Sequence, residues 1–495
     1  MRRVYCVCNL FTQYALRNIK SQYLWIGKQA DRWIVKILFL SSEVVPFAKT
    51  GGLADVAGAL PAALEHQGAE VRIVLPMYKE VKAERNPAQI GGNIKVHFIV
   101  NDHLYNKDGI YVDENGIDHV DNLERFVYYC REALELVKRD GFKPDIIHCN
   151  DWQTGLVPVY LKTLYGKDDF FKNTKTVFTI HNLAYTGSFD EAQWGKTGLD
   201  KGLFNVNALE YYGRFSLLKG GLVFSDVITT VSPTYAKEIQ TKEFGCGMEG
   251  ILRSRAKDLY GVLNGIDYGI WDPSTDKALY KNYSAEDIKA KYVNKQMLLK
   301  ALGLKTDINS PLIGTVGRLA EQKGYDILAE IVSVLCDMDI GFVLLGSGEQ
   351  RYQKIFRKVA IAHPSNTSVN LAFNADLAQK IYAASDIFLM PSRYEPCGLG
   401  QLISFKYMTL PVARKTGGLT DTVIEYNPET GEGNGFLFDD CRSEHLLSAI
   451  KKAVSVYKDK PSWFKLMKKI ATYDFSWDRS AKRYMEIYRN VLGEK

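Results

Sequence analysis

Cysteine is sparse and scattered. Cys6, Cys8, Cys130, Cys149, Cys246, Cys336, Cys397 and Cys441 form no CxxC pair and stand with no histidine at zinc spacing. That excludes a structural zinc site, argues against structural disulfides and fits a reduced intracellular protein. No apolar run is long enough to cross a bilayer. Clustered acids are missing too. The one Asp-x-Asp, Asp337-Met338-Asp339, precedes an apolar run and reads as a solvated turn, so no metal site is expected. The net charge of +6 is local, because residues 1–35 carry Arg2, Arg3, Arg17, Lys20, Lys28 and Arg32 against Asp31 alone. The rest of the chain is nearly neutral, which argues against a nucleic-acid footprint over the folded body. The leading stretch has no clean apolar core for a signal peptide, and Ser21 is its single serine, where transit peptides are Ser-rich. Residues 1–34 are expected to be an extra segment, disordered or an upstream start read in error.

What is present is ordinary in composition and regular in pattern. The chain has 495 residues, 46% hydrophobic and 24% charged, enough for a large core. A length of about 150 residues per domain gives two to four domains. From residue 35 onward β and α patterns alternate. Runs at 36–40, 71–75, 95–100, 145–148, 176–180, 227–231 and 262–263 read as strands, with helical spacing between most of them, as at 55–66 and 123–139. The stretch 77–122 is polar, dotted with Gly and Asn, and poor in pattern. A loop-rich junction at 264–273 and a charged helical stretch at 284–302 lead into a second series. Its strands are expected at 312–316, 341–345, 368–373, 386–390, 411–413 and 435–438, and a last helix at 476–492. The alternation predicts an α/β fold of two doubly wound domains facing a cleft.

One stretch, residues 386–423, concentrates the chemistry. A short apolar strand is followed by a turn between Pro391 and Pro396 that carries Arg393 and Glu395, and then by a helix expected from Leu399 to Tyr407. A second strand leads through Lys415-Thr416-Gly417-Gly418 into another helix. Two strand–turn–helix units in tandem put two helix N-termini, with free N–H groups, on the ligand-binding edge of a parallel sheet. The pattern KTGGLxD occurs twice, at 49–55 and 415–421, each time between a strand and a helix. Glycines there let backbone approach a ligand closely.

The motifs KILFLSSEVVPFAKTGGLADVAGALPAAL (36–64), CNDWQTGL (149–156), TIHNLAYTG (179–187), ITTVSPTYAKEI (228–239), VLNGID (262–267), VGRLAEQKG (316–324) and RYEPCGLGQL (393–402) resemble those of bacterial glycogen synthases and plant starch synthases, the family-five retaining glycosyltransferases. Seven motifs in family order cover the chain from residue 35 to its end. Gly400, Gln153 and Gly317 depart from the Thr, His and Ser common at those positions. The resemblance implies two Rossmann-like domains of the GT-B type, an acceptor domain of 35–263 plus 475–495 and a donor domain of 264–474. It implies glucosyl transfer from ADP-glucose to the non-reducing end of an α-1,4-glucan, glycogen or starch, with retention. No cofactor, metal, membrane or nucleic-acid partner is implied, and the location would be cytoplasmic, or plastidial in a eukaryote.

Each candidate also has a plainer reading. Arg318 and Lys323 follow a strand and could be a solvated basic loop; the resemblance makes them the donor-diphosphate clamp, an Arg fork and a Lys point charge. Glu395 could cap a helix; the resemblance puts it beside the donor glucose. His181 could be a structural histidine; its place at the ligand-binding end of a strand, followed by Asn182, favours hydrogen-bonding glucose. Asp151 could be a helix N-cap; the resemblance turns it toward the cleft. Lys49 could be a surface lysine; the matching lysine reaches the donor phosphates. Gly51, Gly52, Asp55, Asn264, Gly398, Leu399, Thr416 and Gly417 are implied to line the donor site, and Cys397 to pack close to it. Phe373, which could be core, matches an aromatic beside the adenine. The rival readings are a related transferase with another nucleotide sugar or acceptor, and a catalytically silent glucan-binding protein.

Overall fold

A computed structural model describes residues 34–114 and 116–493. Residues 1–33, nearly all of the segment expected to be an extra or misread start, lie outside the described residues.

The first sheet is built from β1 (Lys36–Leu40), β2 (Glu70–Pro76), β3 (Ala88–Ile90), β4 (Ile94–Ile99), β5 (Ile146–Asn150) and β6 (Lys175–Ile180). The chain then leaves it for a small antiparallel sheet of β7 (Ser188–Asp190), β8 (Glu210–Tyr211) and β9 (Arg214–Ser216), and returns as β10 (Val227–Thr230) and β11 (Leu259–Gly261). The order is β11-β10-β6-β5-β1-β2-β4-β3, parallel throughout except for the β3–β4 pair. The second sheet contains β12 (Leu312–Val316), β13 (Gly341–Leu345), β14 (Thr367–Asn370), β15 (Ile387–Met390), β16 (Leu410–Arg414) and β17 (Phe436–Phe438), in the all-parallel order β14-β13-β12-β15-β16-β17. Strands such as β13 (GFVLL) and β15 (IFLM) are buried at every position, as expected when helices cover both faces of a sheet.

Strand order reverses next to the first strand of each sheet. The register pairs Leu40 of β1 with Cys149 of β5, and Gly314 of β12 with Phe388 of β15. The loops leaving those four C-terminal strand ends open into the crevice where such sheets bind ligands. Every candidate residue from Lys49 to Asp151 and from Arg318 to Glu395, Phe373 apart, rides on or just beyond one of these loops.

The last helix, Trp477–Leu492, packs on the helix Gly52–His66 of the first domain. Trp477, Tyr484 and Tyr488 are buried in the first-domain core, each worth about 1.5–3 kcal/mol of apolar burial. His148 of β5 holds this helix: its Nδ1 meets the Tyr488 hydroxyl at 2.6 Å and its Nε2 meets Thr179 Oγ1 at 2.6 Å. Burial pushes the His148 pKa down to about 3, so the imidazole is neutral. The chain crosses between the domains twice, side by side. The Ile266 N–H donates to the Phe475 carbonyl at 2.8 Å, and Ser480 Oγ donates to the Leu263 carbonyl at 2.6 Å.

Several elements depart from their expected bounds. The strand expected at 368–373 ends at Asn370, because Asn374 accepts the Leu377 N–H and starts a helix at Ala375. The pair expected at 262–263 lies just past β11, which runs from Leu259 to Gly261. The helix expected from Leu399 runs from Gly400 to Lys406. The stretch 77–122 holds β3, β4 and a short helix at Asp102–Tyr105. Among the described residues no helix is long and apolar enough to cross a membrane.

Candidate active site

Lys323 and Glu395 meet. The Lys323 ammonium donates to Glu395 Oε2 at 2.6 Å and Oε1 at 2.9 Å, and Ser392 Oγ donates to Oε2 at 2.9 Å. Glu395 is 5% exposed and the Lys323 side chain 29%, so a buried carboxylate meets a partly exposed ammonium at the point where the second sheet reverses order. The capping reading of Glu395 fails, since the helix Gly400–Lys406 takes no side-chain cap. Gly324 lets the chain turn into the helix after Lys323: its φ is +73, and a Cβ there would stand 1.9 Å from the Pro391 carbonyl oxygen. Arg318 is exposed, with Nη2 on Gln322 Oε1 at 3.0 Å and Nη1 on the Tyr185 hydroxyl of the first domain at 3.3 Å.

Asp151, His181 and Asn182 form a second group, at the ends of β5 and β6. Asp151 has φ +54, a left-handed conformation uncommon for a non-glycine residue. Its side chain makes no helix cap; Oδ1 accepts the His181 N–H at 2.7 Å. Burial and the nearby Glu43 carboxylate push the Asp151 carboxyl up to about 7, against the pull of the His181 and Asn182 N–H groups. The Asn150 amide donates to the Leu40 carbonyl, so its oxygen faces His181 Nε2 at 2.8 Å. That assigns the His181 proton to Nε2 and leaves Nδ1 as the acceptor. Burial lowers the His181 pKa to about 3, which keeps the ring neutral.

The first glycine loop is held from beneath. Glu43, 3% exposed, accepts the Thr50 N–H, the Gly51 N–H at 2.9 Å, Thr50 Oγ1 at 2.7 Å and the Tyr111 hydroxyl at 2.8 Å. Lys49 pairs with Asp55 at 2.6 Å, and burial raises the Asp55 carboxyl against the pull of Lys49. Among the described residues no atom lies within 4 Å of a Cβ built on Gly51, and only Leu399 Cδ1, at 3.9 Å, approaches one on Gly52. In the second loop the Gly417 N–H donates to Glu238 Oε1 at 2.9 Å and Thr416 Oγ1 to the same oxygen at 3.3 Å. Of the two helix ends in 386–423 expected to offer free N–H groups, the second is corrected: Glu238 already takes the Gly417 N–H. In the first glycine loop Glu43 likewise takes those of Thr50 and Gly51.

The remaining candidates fall around this cleft, with one exception. Cys397 is buried against the backbone of Asn264, and burial pushes its thiol up to about 12. Asn264 is 7% exposed, and among the described residues its Oδ1 has no hydrogen-bond partner. Gly398 has φ +75 and Leu399 leads into the short helix. Phe373 lies beyond β14 and is 85% exposed, so it is neither core nor the end of a strand. Among the described residues no three His, Cys, Asp or Glu side chains converge to hold a metal ion. Glu43, Tyr185, Glu238, Ser392 and Asp421 were given no role in the sequence. Glu43, Tyr185, Glu238 and Asp421 fall inside quoted motifs, which was the available signal; their long-range partners were not visible there.

Residues 36–254 match the family described as starch synthase catalytic domain, and residues 303–470 match glycosyl transferases group 1. The glycogen synthase of Pseudothermotoga lettingae is 46% identical over 492 residues, covering 93% of this chain and 100% of that protein. The chain belongs to the glycogen synthase and starch synthase family. The glycogen synthase of Geotalea daltonii is 47% identical over 483 residues, again covering 93% of this chain and 100% of its own length. Among solved structures, the catalytic domain of starch synthase IV from Arabidopsis thaliana, bound to ADP and acarbose, superposes with a TM-score of 0.87 at 34% identity, covering 93% of this chain and 100% of that one. A sucrose-phosphate synthase from Thermosynechococcus elongatus, at 17% identity and a TM-score of 0.61, shares the fold alone. The two glycogen synthases span the chain across both sheets, so this family's GT-B architecture accounts for both domains and the cleft between them.

Proposed function

We propose that this glycogen/starch synthase transfers glucose from ADP-glucose to the 4-hydroxyl at the non-reducing end of an α-1,4-glucan, with retention of configuration. The observation that carries this reading is the Lys323–Glu395 pair at the second domain's crevice, with Arg318 of the same loop reaching Tyr185 of the first domain and Leu399 lying near Gly52. Breaking the bond between glucose C1 and the diphosphate leaves negative charge on the departing oxygen and positive charge on the sugar. Arg318, Lys323 and Lys49 are the cations proposed to meet the diphosphate. A bound diphosphate would draw Lys323 from Glu395 and leave that carboxylate negative beside the sugar as positive charge develops there. His181 Nδ1 offers an acceptor to a glucose hydroxyl, with Asn182 beside it. Gly51, Gly52, Asp55, Asn264, Gly398, Leu399, Thr416 and Gly417 would shape the walls, and Phe373 offers a flat face to the base.

No candidate side chain is an evident nucleophile on the reacting face, which supports displacement on one face. The new C1–O4 bond forms as the old C1–O bond breaks, and the leaving diphosphate takes the acceptor proton. Closure of the domains would keep water from the donor. We also propose a cytoplasmic location, by likeness to the bacterial relatives.

The test is incorporation of labelled glucose into glycogen from ADP-glucose and UDP-glucose in parallel, with and without excess EDTA. ADP-glucose should serve better, and EDTA should leave the rate nearly unchanged. Preference for UDP-glucose would overturn the donor assignment. A large EDTA effect reversed by Mg²⁺ would overturn metal independence. No incorporation from either donor would leave a glucan-binding protein without catalysis.

A further inference from the structure

The helix Pro233–Glu238 belongs to the first domain and the helix Gly417–Thr422 to the second, and the two pack together across the cleft. Each closes the other's first turn with a carboxylate. Glu238 Oε1 accepts the Gly417 N–H at 2.9 Å and Thr416 Oγ1 at 3.3 Å. Asp421 Oδ2 accepts the Thr234 N–H at 3.0 Å, and its Oδ1 accepts Thr234 Oγ1 at 2.6 Å. The helix Gly417–Thr422 has no side-chain cap from its own flank, so Glu238 supplies what Thr416 does not. The arrangement is reciprocal and exists only while the domains are together. It also carries a cost. Among the described residues Glu238 Oε2 is buried with no hydrogen-bond partner, and burial raises the carboxyl above its ordinary range.

The helix end held by Glu238 is the seat of the loop that carries Glu395. The Gly418 N–H donates to the Glu395 carbonyl at 3.1 Å. Gly417 has φ +44, and a Cβ on it would stand 2.1 Å from that same oxygen. A Cβ on Gly418 would stand 2.1 Å from the Cys397 carbonyl oxygen. Backbone lies directly on backbone here, so a shift of residues 416–418 moves residues 395–397 with it. An unbroken line of contacts runs from Glu238 through Gly417 and the Glu395 backbone to the Glu395 carboxylate and Lys323.

We propose that Glu238 and Asp421 are positioning residues. Their crossed caps fasten the Glu395 loop to the acceptor domain, so the catalytic carboxylate reaches its working place only when the domains are closed. This rests on the role proposed above for Glu395.

The experiment compares Glu238→Ala, Asp421→Ala and Thr234→Val with the wild type in kcat, donor KM, melting temperature and radius of gyration by X-ray scattering with ADP. Glu238→Ala should lower kcat about tenfold with donor KM changed less than threefold, and should expand the ADP-bound protein. Glu238→Gln keeps an acceptor oxygen for the Gly417 N–H and should recover most of kcat. Thr234→Val removes one hydroxyl and should lower kcat two- to threefold, which keeps the idea testable if an alanine variant fails to fold. In a Glu395→Gln background, Glu238→Ala should add no further loss of kcat, because it acts through Glu395. A full independent loss in that background, or unchanged kcat and radius of gyration in Glu238→Ala, would overturn the proposal. Wild-type kcat in Glu395→Gln alone would instead overturn the reading of Glu395, while the scattering still reports whether the caps hold the domains closed.

Discussion

The same seven-residue pattern, KTGGLxD, is used in opposite ways by the two domains. In the first copy Lys49 pairs with the motif's own Asp55, and Glu43 of the same domain takes the loop N–H groups. In the second copy Lys415 turns to Asp439 at 3.7 Å, Asp421 reaches Thr234, and Glu238 comes back across the cleft. The glycines differ as well. Gly51 and Gly52 face open space, whereas Gly417 and Gly418 are pressed onto the Glu395 and Cys397 carbonyls. The glycines of the first loop stand clear of other described atoms, apart from Leu399 Cδ1 near Gly52, and those of the second are pressed into packing. A shared motif thus sets a backbone shape, and its neighbours decide whether that shape is left open or joins two domains.

The largest effect should come from the residue seated on the second loop. Glu395→Gln is expected to cut kcat by on the order of 10²–10³ with donor KM near wild type, the pattern of a contact made chiefly in the transition state. Lys323→Ala should raise donor KM and lower kcat together. Because Lys323 donates to both Glu395 oxygens, the double variant should lose less than the product of the two single losses. Steady-state kinetics of the three proteins decides this, and full multiplicativity would mean the pair does not act as a unit.

Exchanging glycine for alanine tests the contrast directly. Gly418→Ala drives a methyl into the Cys397 carbonyl and should cost ~1–3 kcal/mol in denaturant unfolding. Gly51→Ala, at φ −146 with nothing nearby, should stay within ~0.5 kcal/mol and act on donor KM instead. Equal destabilisation by both would erase the distinction. Glu43→Gln puts an amide against the Thr50 and Gly51 donors and should cost ~1–3 kcal/mol. If unfolding is unchanged, the first loop does not depend on that carboxylate.

A further effect is in pH. With its carboxyl raised to about 7, folded Asp151 keeps a proton that the unfolded chain, near ~3.9, releases. Its contribution to stability is therefore present at low pH and fades as pH rises toward 7. Asp151→Asn should flatten that part of the stability–pH curve and remove a shallow break near pH 7 in kcat/KM. An identical curve in the variant would mean another group titrates there.

Strand β13 begins and ends where its apolar run does, because both faces of a central parallel strand are buried and the run has no polar interruption; β12 keeps its expected bounds with Thr315 buried inside it. The small sheet at 188–216 was not foreseen, since strands of two or three residues carry no period to read. Phe373 misled because an aromatic after an apolar run looks like more strand, while the helix-capping Asn374 beside it decides the turn. The strand–loop–helix setting of Lys323 and Glu395 was legible, but their mutual contact was not. Glu43, Glu238 and Asp421 were hidden for a common reason: each acts through a partner fixed only by the folded backbone, in two cases across more than 170 residues.

The paired crossings at Ile266 and Phe475 have a consequence in time. Synthesis runs from the first domain through the whole second domain before Trp477–Leu492 emerges. Until then the face of Gly52–His66 that this helix covers stays bare, and His148 lacks the Tyr488 hydroxyl. The domain begun first on the ribosome is the one finished last, and its closing piece can reach it only along a path that the completed second domain has already fixed.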